Sequence, residues 1–127
     1  MEPLNPRLVP MLHVPDVSAT ANWYASIGFR ILRTAADGTE MTWALLQLGS
    51  SELMLNCGGS SSDADRREVD LYIHVEDVDE MYSALVDRAE VVEEPHDTFY
   101  GQREFIIRDC NRFWITFGQV AKEITGT

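Results

Sequence analysis

Basic residues are scarce in this chain of 127 residues. Its 10 lysines and arginines stand against 21 aspartates and glutamates, which gives a formal net charge of −11 at pH 7. Binding to nucleic acid needs a basic face that neutralises phosphates, so the composition argues against DNA and RNA as partners. The negative charge also disfavours anionic metabolites and attracts a cationic ligand. The alternative is that the acidity serves solubility alone.

Long apolar runs and a basic amino-terminal segment are also missing. No stretch approaches the roughly 20 apolar residues of a membrane helix, and the first residues, MEPLNP, carry no export signal, so we expect no membrane partner. The two cysteines, Cys57 and Cys110, lack the spacing of a metal site. We expect reduced thiols in a cytoplasmic protein rather than a disulfide. Apolar residues make up 45% of the chain, enough for a single domain with its own core.

What the sequence does contain is an internal repeat. Residues 12–17, LHVPDV, recur 61 positions later as residues 73–78, IHVEDV. In each copy alternating side chains lead to an aspartate, Asp16 or Asp77, that can cap a helix. The same offset relates residues 44–46 to 105–107 and residues 53–54 to 114–115. A constant offset through a strand, a helix and two further strands indicates a duplicated unit.

The first module, about residues 7–57, is predicted to have the order βαβββ. A strand over residues 7–14 leads to a helix that begins at Asp16 or Ser18 and ends near residue 27, where Gly28 supplies a left-handed stop. Further strands are predicted over residues 29–34, 41–48 and 52–56. Because Pro10 lacks an N–H donor, the first strand should be an edge strand or cross to another subunit.

The second module, about residues 69–119, follows a linker over residues 58–68 that is rich in glycine and serine. We expect a strand over 69–75, a helix from Asp77 to about Arg88, and a short strand at 91–92. A long loop over 93–101 and strands over 103–108 and 113–117 follow, then a tail over 120–127. The predicted fold class is α+β, with two tandem βαβββ modules forming a cupped mixed sheet and helices on the outer face.

Paired βαβββ modules with Val-x-Asp-Val entering each helix resemble the glyoxalase/bleomycin resistance/dioxygenase (vicinal oxygen chelate) superfamily, and bleomycin resistance proteins in particular. The resemblance rests on residues 9–12, 79–82 and 100–109. The last of these stretches, YGQREFIIRD, is similar to the aromatic-Gly-Arg-Glu-Phe run that the resistance proteins carry before Arg-Asp. One departure is the segment DCNR at residues 109–112, where the family has an Asp-Pro-x-Gly turn.

Enzymes of the superfamily hold a divalent metal with four side chains, two from each module. The resemblance places these positions on Val9, Leu55, Asp70 and Thr116, of which only Asp70 is a ligand for such an ion. Glu52 becomes an alternative only if its strand shifts by three residues, which would reverse its facing. We therefore expect no metal of the usual kind, no cofactor and no catalytic residue, since no nucleophile elbow or phosphate loop is visible.

The remaining site candidates lie on the inferred concave face and on the loop beside it. They are Met11, His13, Trp43, Asp70, Tyr72, His74, Phe99, Tyr100, Glu104, Trp114 and Thr116. An aromatic cleft with few polar groups suits a planar organic ligand held by stacking and cation–π contact. The alternatives are that Trp43, Tyr72 and Trp114 are ordinary core, and that the two histidines make local hydrogen bonds or form a two-histidine metal site assisted by Asp70.

The sequence therefore favours a metal-independent small-molecule binding protein of the bleomycin-resistance type. It would sequester a planar cationic or neutral compound. The resemblance implies a homodimer, and the two cysteines favour a cytoplasmic location. One alternative is a metal-dependent lyase or dioxygenase of the same superfamily with a displaced metal site. Another is a ligand-sensing or accessory subunit.

Overall fold

A computed structural model of the chain describes residues 4–120. Its internal contacts separate two compact units, the first ending at Ser61 and the second beginning at Ser62. Each unit carries one helix and a four-stranded mixed sheet in the order β, α, β, β, β. The predicted α+β class with two tandem βαβββ modules is therefore confirmed.

The first unit comprises β1 (Met11–His13), α1 (Val17–Ser26), β2 (Arg30–Asp37), β3 (Glu40–Leu48) and β4 (Ser51–Asn56). The strand order is β1-β4-β3-β2, with β1 parallel to β4 and the other pairs antiparallel. β1 is an edge strand of this sheet, as Pro10 predicts. The Pro10 carbonyl accepts a hydrogen bond of 2.9 Å from the Met54 amide, so the proline keeps its acceptor in the ladder although it lacks a donor.

The second unit comprises β5 (Asp70–His74), α2 (Val78–Leu85), β6 (Glu90–Asp97), β7 (Gln102–Arg108) and β8 (Trp114–Val120). Its order, β5-β8-β7-β6, repeats that of the first sheet, again with one parallel pair, β5 with β8. Val120, predicted to be the first residue of the tail, is the last residue of β8. Residues 121–127 lie outside the described residues.

Both helices begin at the aspartates that the repeat singles out. Asp16 Oδ1 accepts from the Ala19 amide at 2.9 Å, and Asp77 Oδ1 accepts from the Glu80 amide at 3.0 Å. Each carboxylate satisfies an amide that the first helical turn leaves without a partner. The Gly28 φ of +114° confirms the predicted left-handed stop after α1. The α2 helix ends at Leu85, three residues before the predicted Arg88.

Each core lies between one helix and the face of its own sheet. In the first unit, residues of α1 cover alternate residues of β3 and β4; fully buried there are Val17, Tyr24, Ala44, Leu46 and Leu55. In the second unit, Tyr82 of α2 contacts the Phe105 ring edge-on, and Phe105 stacks on Phe117 with ring centroids 4.8 Å apart. Alternation along the strands then turns every second residue to the opposite face.

The predicted loop over residues 93–101 is wrong. β6 continues to Asp97, and only residues 98–101 connect it to β7. Register shifts between Val91 and Glu93 and between Glu93 and His96 interrupt its pairing with β7. β6 is an edge strand with mostly exposed polar side chains, so it lacks the apolar alternation that marks a half-buried strand. An irregular edge strand also tolerates Pro95.

The constant offset of 61 also fails at the last strand. Leu46 pairs with Leu53 in the first sheet, whereas the residue equivalent to Leu46, Ile107, pairs with Ile115 in the second. Leu53 therefore corresponds to Ile115 rather than to Trp114. The segment over residues 109–113 holds the extra residue.

A carboxylate closes this longer turn. Asp109 Oδ1 accepts from the amides of Asn111 and Phe113 at 2.7 and 2.9 Å. Arg112 adopts a φ of +72°, the left-handed conformation that glycine takes most easily, at the position where the family has glycine. The departure from the family turn is thus accommodated by side-chain hydrogen bonds and one strained arginine.

Candidate functional site

The candidate site lies on the face of the second sheet that is turned away from α2, which we call the open face. Alternation in the strands places there, from edge to interior, residues of β5, β8 and β7 in cross-strand register. These residues are Asp70, Tyr72, His74, Trp114, Thr116, Gly118, Glu104 and Ile106. Arg103, adjacent to Glu104, points to the opposite face and pairs with Asp79 of α2 at 2.9 Å.

A buried carboxylate organises one end of the open face. Glu104 is only 4% exposed, and its Oε2 accepts a hydrogen bond of 2.6 Å from Tyr72 Oη and one of 2.8 Å from Tyr100 Oη. Hydrogen bonds to an ionised acceptor are stronger than neutral ones, and burial of a charge without them would be costly. Among residues 4–120, no arginine or lysine forms an ion pair with Glu104. The two tyrosines thus stabilise a buried negative charge.

Tyr72 reaches Glu104 by crossing a whole strand. Tyr72 is on β5 and Glu104 on β7, with β8 between them, so the two backbones are about 10 Å apart, or two strand spacings, and the two side chains together bridge this distance. It crosses at Gly118, which pairs with His74 on one side and Glu104 on the other. A Cβ atom at Gly118 would collide with the ring and hydroxyl of Tyr72. Sequence reasoning missed Gly118, although glycine inside a strand is a known sign of such a close approach.

Both hydroxyl groups are held in the protonated form. Burial, followed by the hydrogen bond to Glu104, raises the pKa of Tyr72 far above its ordinary value. The hydrogen bond to Glu104 is the main cause that raises the pKa of Tyr100. Neither phenol can therefore act as a readily ionised acid or nucleophile near neutral pH. The arrangement fixes the position of two rings rather than preparing a proton transfer.

The rings around this carboxylate are accessible. Tyr72 is 44% exposed, Tyr100 is 56% exposed and Phe99 is 99% exposed. Phe99 and Tyr100 make an edge-on contact with centroids 5.1 Å apart, and the Tyr72 and His74 rings lie 5.0 Å apart. We call Tyr72, His74, Phe99 and Tyr100 the aromatic patch. The alternative of Tyr72 as ordinary core is wrong.

The other end of the open face is engaged by the chain itself. The Arg66 guanidinium lies 4.3 Å above the Trp114 ring and is bonded to both carboxylate oxygens of Asp70. The Asp65 carbonyl accepts a hydrogen bond of 3.0 Å from Trp114 Nε1, so the end of the predicted linker is fixed on the second unit. Asp70 and Trp114, both predicted to contact ligand, therefore already bind Arg66. Thr116, between the two ends, is buried.

The three site candidates of the first unit lie on the face of its sheet turned away from α1. Met11 is 44% exposed, and its Sδ is 3.7 Å from Asn56 Nδ2. His13 Nδ1 lies 3.2 Å from the Cys57 carbonyl oxygen, which matches the alternative of a local hydrogen bond at a strand end. Trp43 is half-buried, and the Arg33 guanidinium lies over its ring, with Cζ 5.6 Å from the ring centroid.

The strand register changes which residue of β4 corresponds to a metal-ligand position of the family. Met11 pairs with Met54 and its equivalent Tyr72 pairs with Thr116, so Met54, not Leu55, is the counterpart of Thr116. Leu55 is completely buried on the helix side. Glu52 shares the face of Met54, two residues away, and faces away from Leu55, three residues away, as predicted.

The residues present do not fit a divalent metal. Val9, Met54 and Thr116 offer no hard or borderline ligand, and Asp70 is bonded to Arg66. Glu52 is paired with Arg7 at 2.9 Å. Within the described range 4–120, no group of three His, Cys, Asp or Glu side chains comes together. The predicted metal independence itself stays a prediction.

Family comparison agrees with the topology. The sequence model of the Glyoxalase/Bleomycin resistance protein/Dioxygenase superfamily matches residues 8–117, which is most of the chain. The chain belongs to this superfamily. The earlier resemblance is thereby confirmed at family level. No curated protein sequence matches this superfamily member closely enough to add a function.

Several solved structures share the fold of this chain. TioX from Micromonospora sp. ML1 has 21% identity and a TM-score of 0.71, covering 94% of this chain and 99% of that one. A bleomycin resistance determinant encoded on the transposon Tn5 has 17% identity and a TM-score of 0.73, covering 91% and 98%. A bleomycin-binding protein complexed with bleomycin has 17% identity and a TM-score of 0.68, covering 94% and 100%. In the described part of this chain, no helix has the length and apolar character needed to cross a membrane.

Proposed function

We propose that this chain is a metal-independent small-molecule binding protein of the bleomycin-resistance type. It sequesters a planar, cationic or neutral organic compound on the aromatic patch and leaves the compound chemically unchanged. The observation that carries this proposal is the set of exposed rings fixed around the buried Glu104 carboxylate. Sequestration requires affinity alone, which such a surface can supply.

The rings are already in position before a ligand arrives. Tyr72 and Tyr100 are each fixed at the hydroxyl end by Glu104, while their faces stay accessible. A ring that is fixed in advance loses little conformational entropy when a ligand stacks on it. Clusters of exposed aromatic side chains are uncommon on proteins that bind nothing there, since such surface is better buried.

The charge around the patch favours a cation. Glu104 lies behind the rings without a basic partner among the described residues, and Glu93 is close enough to Tyr100 to raise its pKa. The whole chain adds a net charge of −11, which attracts cations from a distance. We expect this long-range attraction to increase the association rate, while stacking on the rings determines how long the ligand stays.

The superfamily membership supports the same reading, because one protein of this fold is described as a bleomycin-binding protein complexed with bleomycin. The proposal includes a homodimer and a cytoplasmic location. The resemblance to resistance proteins supports the first, and the cysteine pattern supports the second. Met11, His13 and Trp43 are proposed as ligand contacts on the first unit.

A melting-temperature screen followed by calorimetry tests the proposal. Glycopeptide and aromatic cationic antibiotics should raise the melting temperature, because a ligand that binds only the folded state stabilises it. Anionic glutathione conjugates should not. Binding of the anionic compounds alone would contradict the proposal and favour an enzyme.

A variant pair locates the site. Tyr100→Ala should weaken binding by about 1–2 kcal/mol, or roughly 5- to 30-fold, the usual size of an aromatic or cation–π contact. Tyr100→Phe is the matched control, since it also removes the hydroxyl from Glu104 but keeps the ring. We expect Tyr100→Phe to retain most of the affinity. Equal losses in the two variants would show that the hydroxyl, not the ring, matters.

A further inference from the structure

We propose that the aromatic patch selects cations that carry no N–H groups, namely quaternary ammonium groups and N-alkylated heteroaromatic rings, over primary amines. This inference rests on the proposed function and specifies the class of ligand. It follows from the way the negative charge of Glu104 is presented, behind two tyrosine rings.

An incoming N–H donor cannot readily reach the carboxylate. Glu104 is 4% exposed, and the Tyr72 side chain passes over Gly118 to cover the approach from the β5 side. The two tyrosine hydroxyls already donate to Oε2 at 2.6 and 2.8 Å. A primary ammonium group is strongly hydrated, and over the two tyrosine rings it would lose water without reaching the Glu104 carboxylate in return.

A cation without N–H groups loses less. Its charge is spread over alkyl groups or a ring, and its best protein partner is the face of an aromatic side chain. Phenol groups that donate to a carboxylate carry more negative charge in their rings, which strengthens that attraction. Tyr72 and Tyr100 both have this arrangement, and 44% and 56% of their surfaces are accessible.

The opposite end of the same open face shows the contrasting arrangement. Arg66, a cation rich in N–H groups, lies over the Trp114 ring and is bonded to Asp70. The Asp70 side chain is 27% exposed, so its carboxylate is accessible to donors. At this end, Arg66 therefore contacts both an aromatic ring and an accessible carboxylate. At the aromatic patch, by contrast, the rings cover the carboxylate of Glu104.

Three probes with the same phenyl group test the inference on the full chain: benzyltrimethylammonium, benzylammonium and the neutral isostere neopentylbenzene. Calorimetry near neutral pH should show benzyltrimethylammonium binding at least about 5-fold more tightly than either of the others, as a desolvated cation–π contact predicts. Tighter binding of benzylammonium would overturn the inference but leave the proposed function standing. Equal binding of the neutral isostere would show that the charge plays no part, and would also overturn it.

Variants that uncover the Glu104 carboxylate should reduce the preference for benzyltrimethylammonium over benzylammonium. Gly118→Ala displaces Tyr72, so Glu104 becomes accessible to N–H donors and benzylammonium should gain relative to benzyltrimethylammonium. Tyr72→Ala uncovers Glu104 without adding an atom to the strand and serves if Gly118→Ala does not fold. Unchanged selectivity in a folded Tyr72→Ala variant would refute the inference. If no probe and no cationic antibiotic binds the wild-type protein, the proposed function fails, and the inference fails with it.

Discussion

Gly118→Ala is the most informative single substitution in the second sheet. No backbone strain opposes alanine there, because Gly118, unlike Gly101 with a φ of +86°, is outside the left-handed region. Alanine in place of glycine inside a strand is by itself favourable by about 0.5–1 kcal/mol. The opposing effect is the collision of the new Cβ with Tyr72. Either the ring stays and the site is overpacked, or Tyr72 leaves Glu104.

The magnitude follows from the cheaper of these two routes. Overpacking costs about 1–3 kcal/mol, and the loss of one hydrogen bond to a buried carboxylate costs about 1.5–3 kcal/mol. Subtracting the favourable contribution of alanine leaves a net loss of about 1–2 kcal/mol in the free energy of unfolding. In a Tyr72→Ala background the collision is gone, so Gly118→Ala should be neutral or slightly stabilising.

Urea unfolding of the four proteins in this double-mutant cycle, followed by circular dichroism, measures the coupling. We expect a coupling energy of about 1.5–3 kcal/mol, larger than that of residues that do not touch. A third background, Tyr72→Phe, keeps the ring but removes the hydroxyl, so part of the cost should remain there. Additive effects of Gly118→Ala and Tyr72→Ala would refute the crossing of β8 by Tyr72.

Three further predictions follow from the site and the family. Because the pKa values of Tyr72 and Tyr100 are raised in the folded state, their contribution to stability is complete below about pH 10 and is lost as the pH rises above that value. Urea unfolding at two alkaline pH values should show a smaller loss in Tyr72→Phe than in the wild type, and an equal loss would contradict it. Elemental analysis should find less than one equivalent of divalent metal, since Val9, Met54 and Thr116 cannot bind one; a full equivalent whose removal abolishes function would contradict this. Light scattering at micromolar concentration should give twice the chain mass of 14.4 kDa, with more than about 2,000 Å² buried in total, and a monomeric mass would exclude the homodimer.

Local signals in the sequence were sufficient for most of the fold. Capping aspartates, the glycine stop after the first helix and apolar alternation in the central strands each depend on residues close together in the chain. The internal repeat connected them into two modules. Accordingly, Asp16, Asp77 and Gly28 perform the roles that the sequence predicts.

The predictions for β6 and for the fourth strand of the second module were wrong because contacts distant in the sequence determine the structure there. β6 is an exposed edge strand, so solvent rather than a core determines its side chains, and nothing apolar marked residues 93–97 as a strand. The extra residue before β8 is stabilised by hydrogen bonds that backbone amides donate to Asp109, which a count of sequence positions cannot detect. That single residue shifted the comparison of the fourth strands and misplaced Leu55.

Composition and family likeness predicted the members of the candidate site but not their contacts. Tyr72, Tyr100 and Glu104 were candidates from the sequence, yet the hydrogen bonds that join them span strands that are distant in the chain. The role of Gly118 depends on the same crossing. The interaction of Arg66 with Trp114 was also unexpected, because residues 58–68 had only the composition of a linker.

Amide chemical-shift mapping during a titration with N-methylacridinium, a planar aromatic cation, tests whether the aromatic patch is the binding site. We predict saturable shifts that are largest at Tyr72, Tyr100, Gly101 and Gly118, and that are strongly reduced in the Tyr100→Ala variant. Saturable shifts confined to the first unit, or no saturable shift at all, would contradict it.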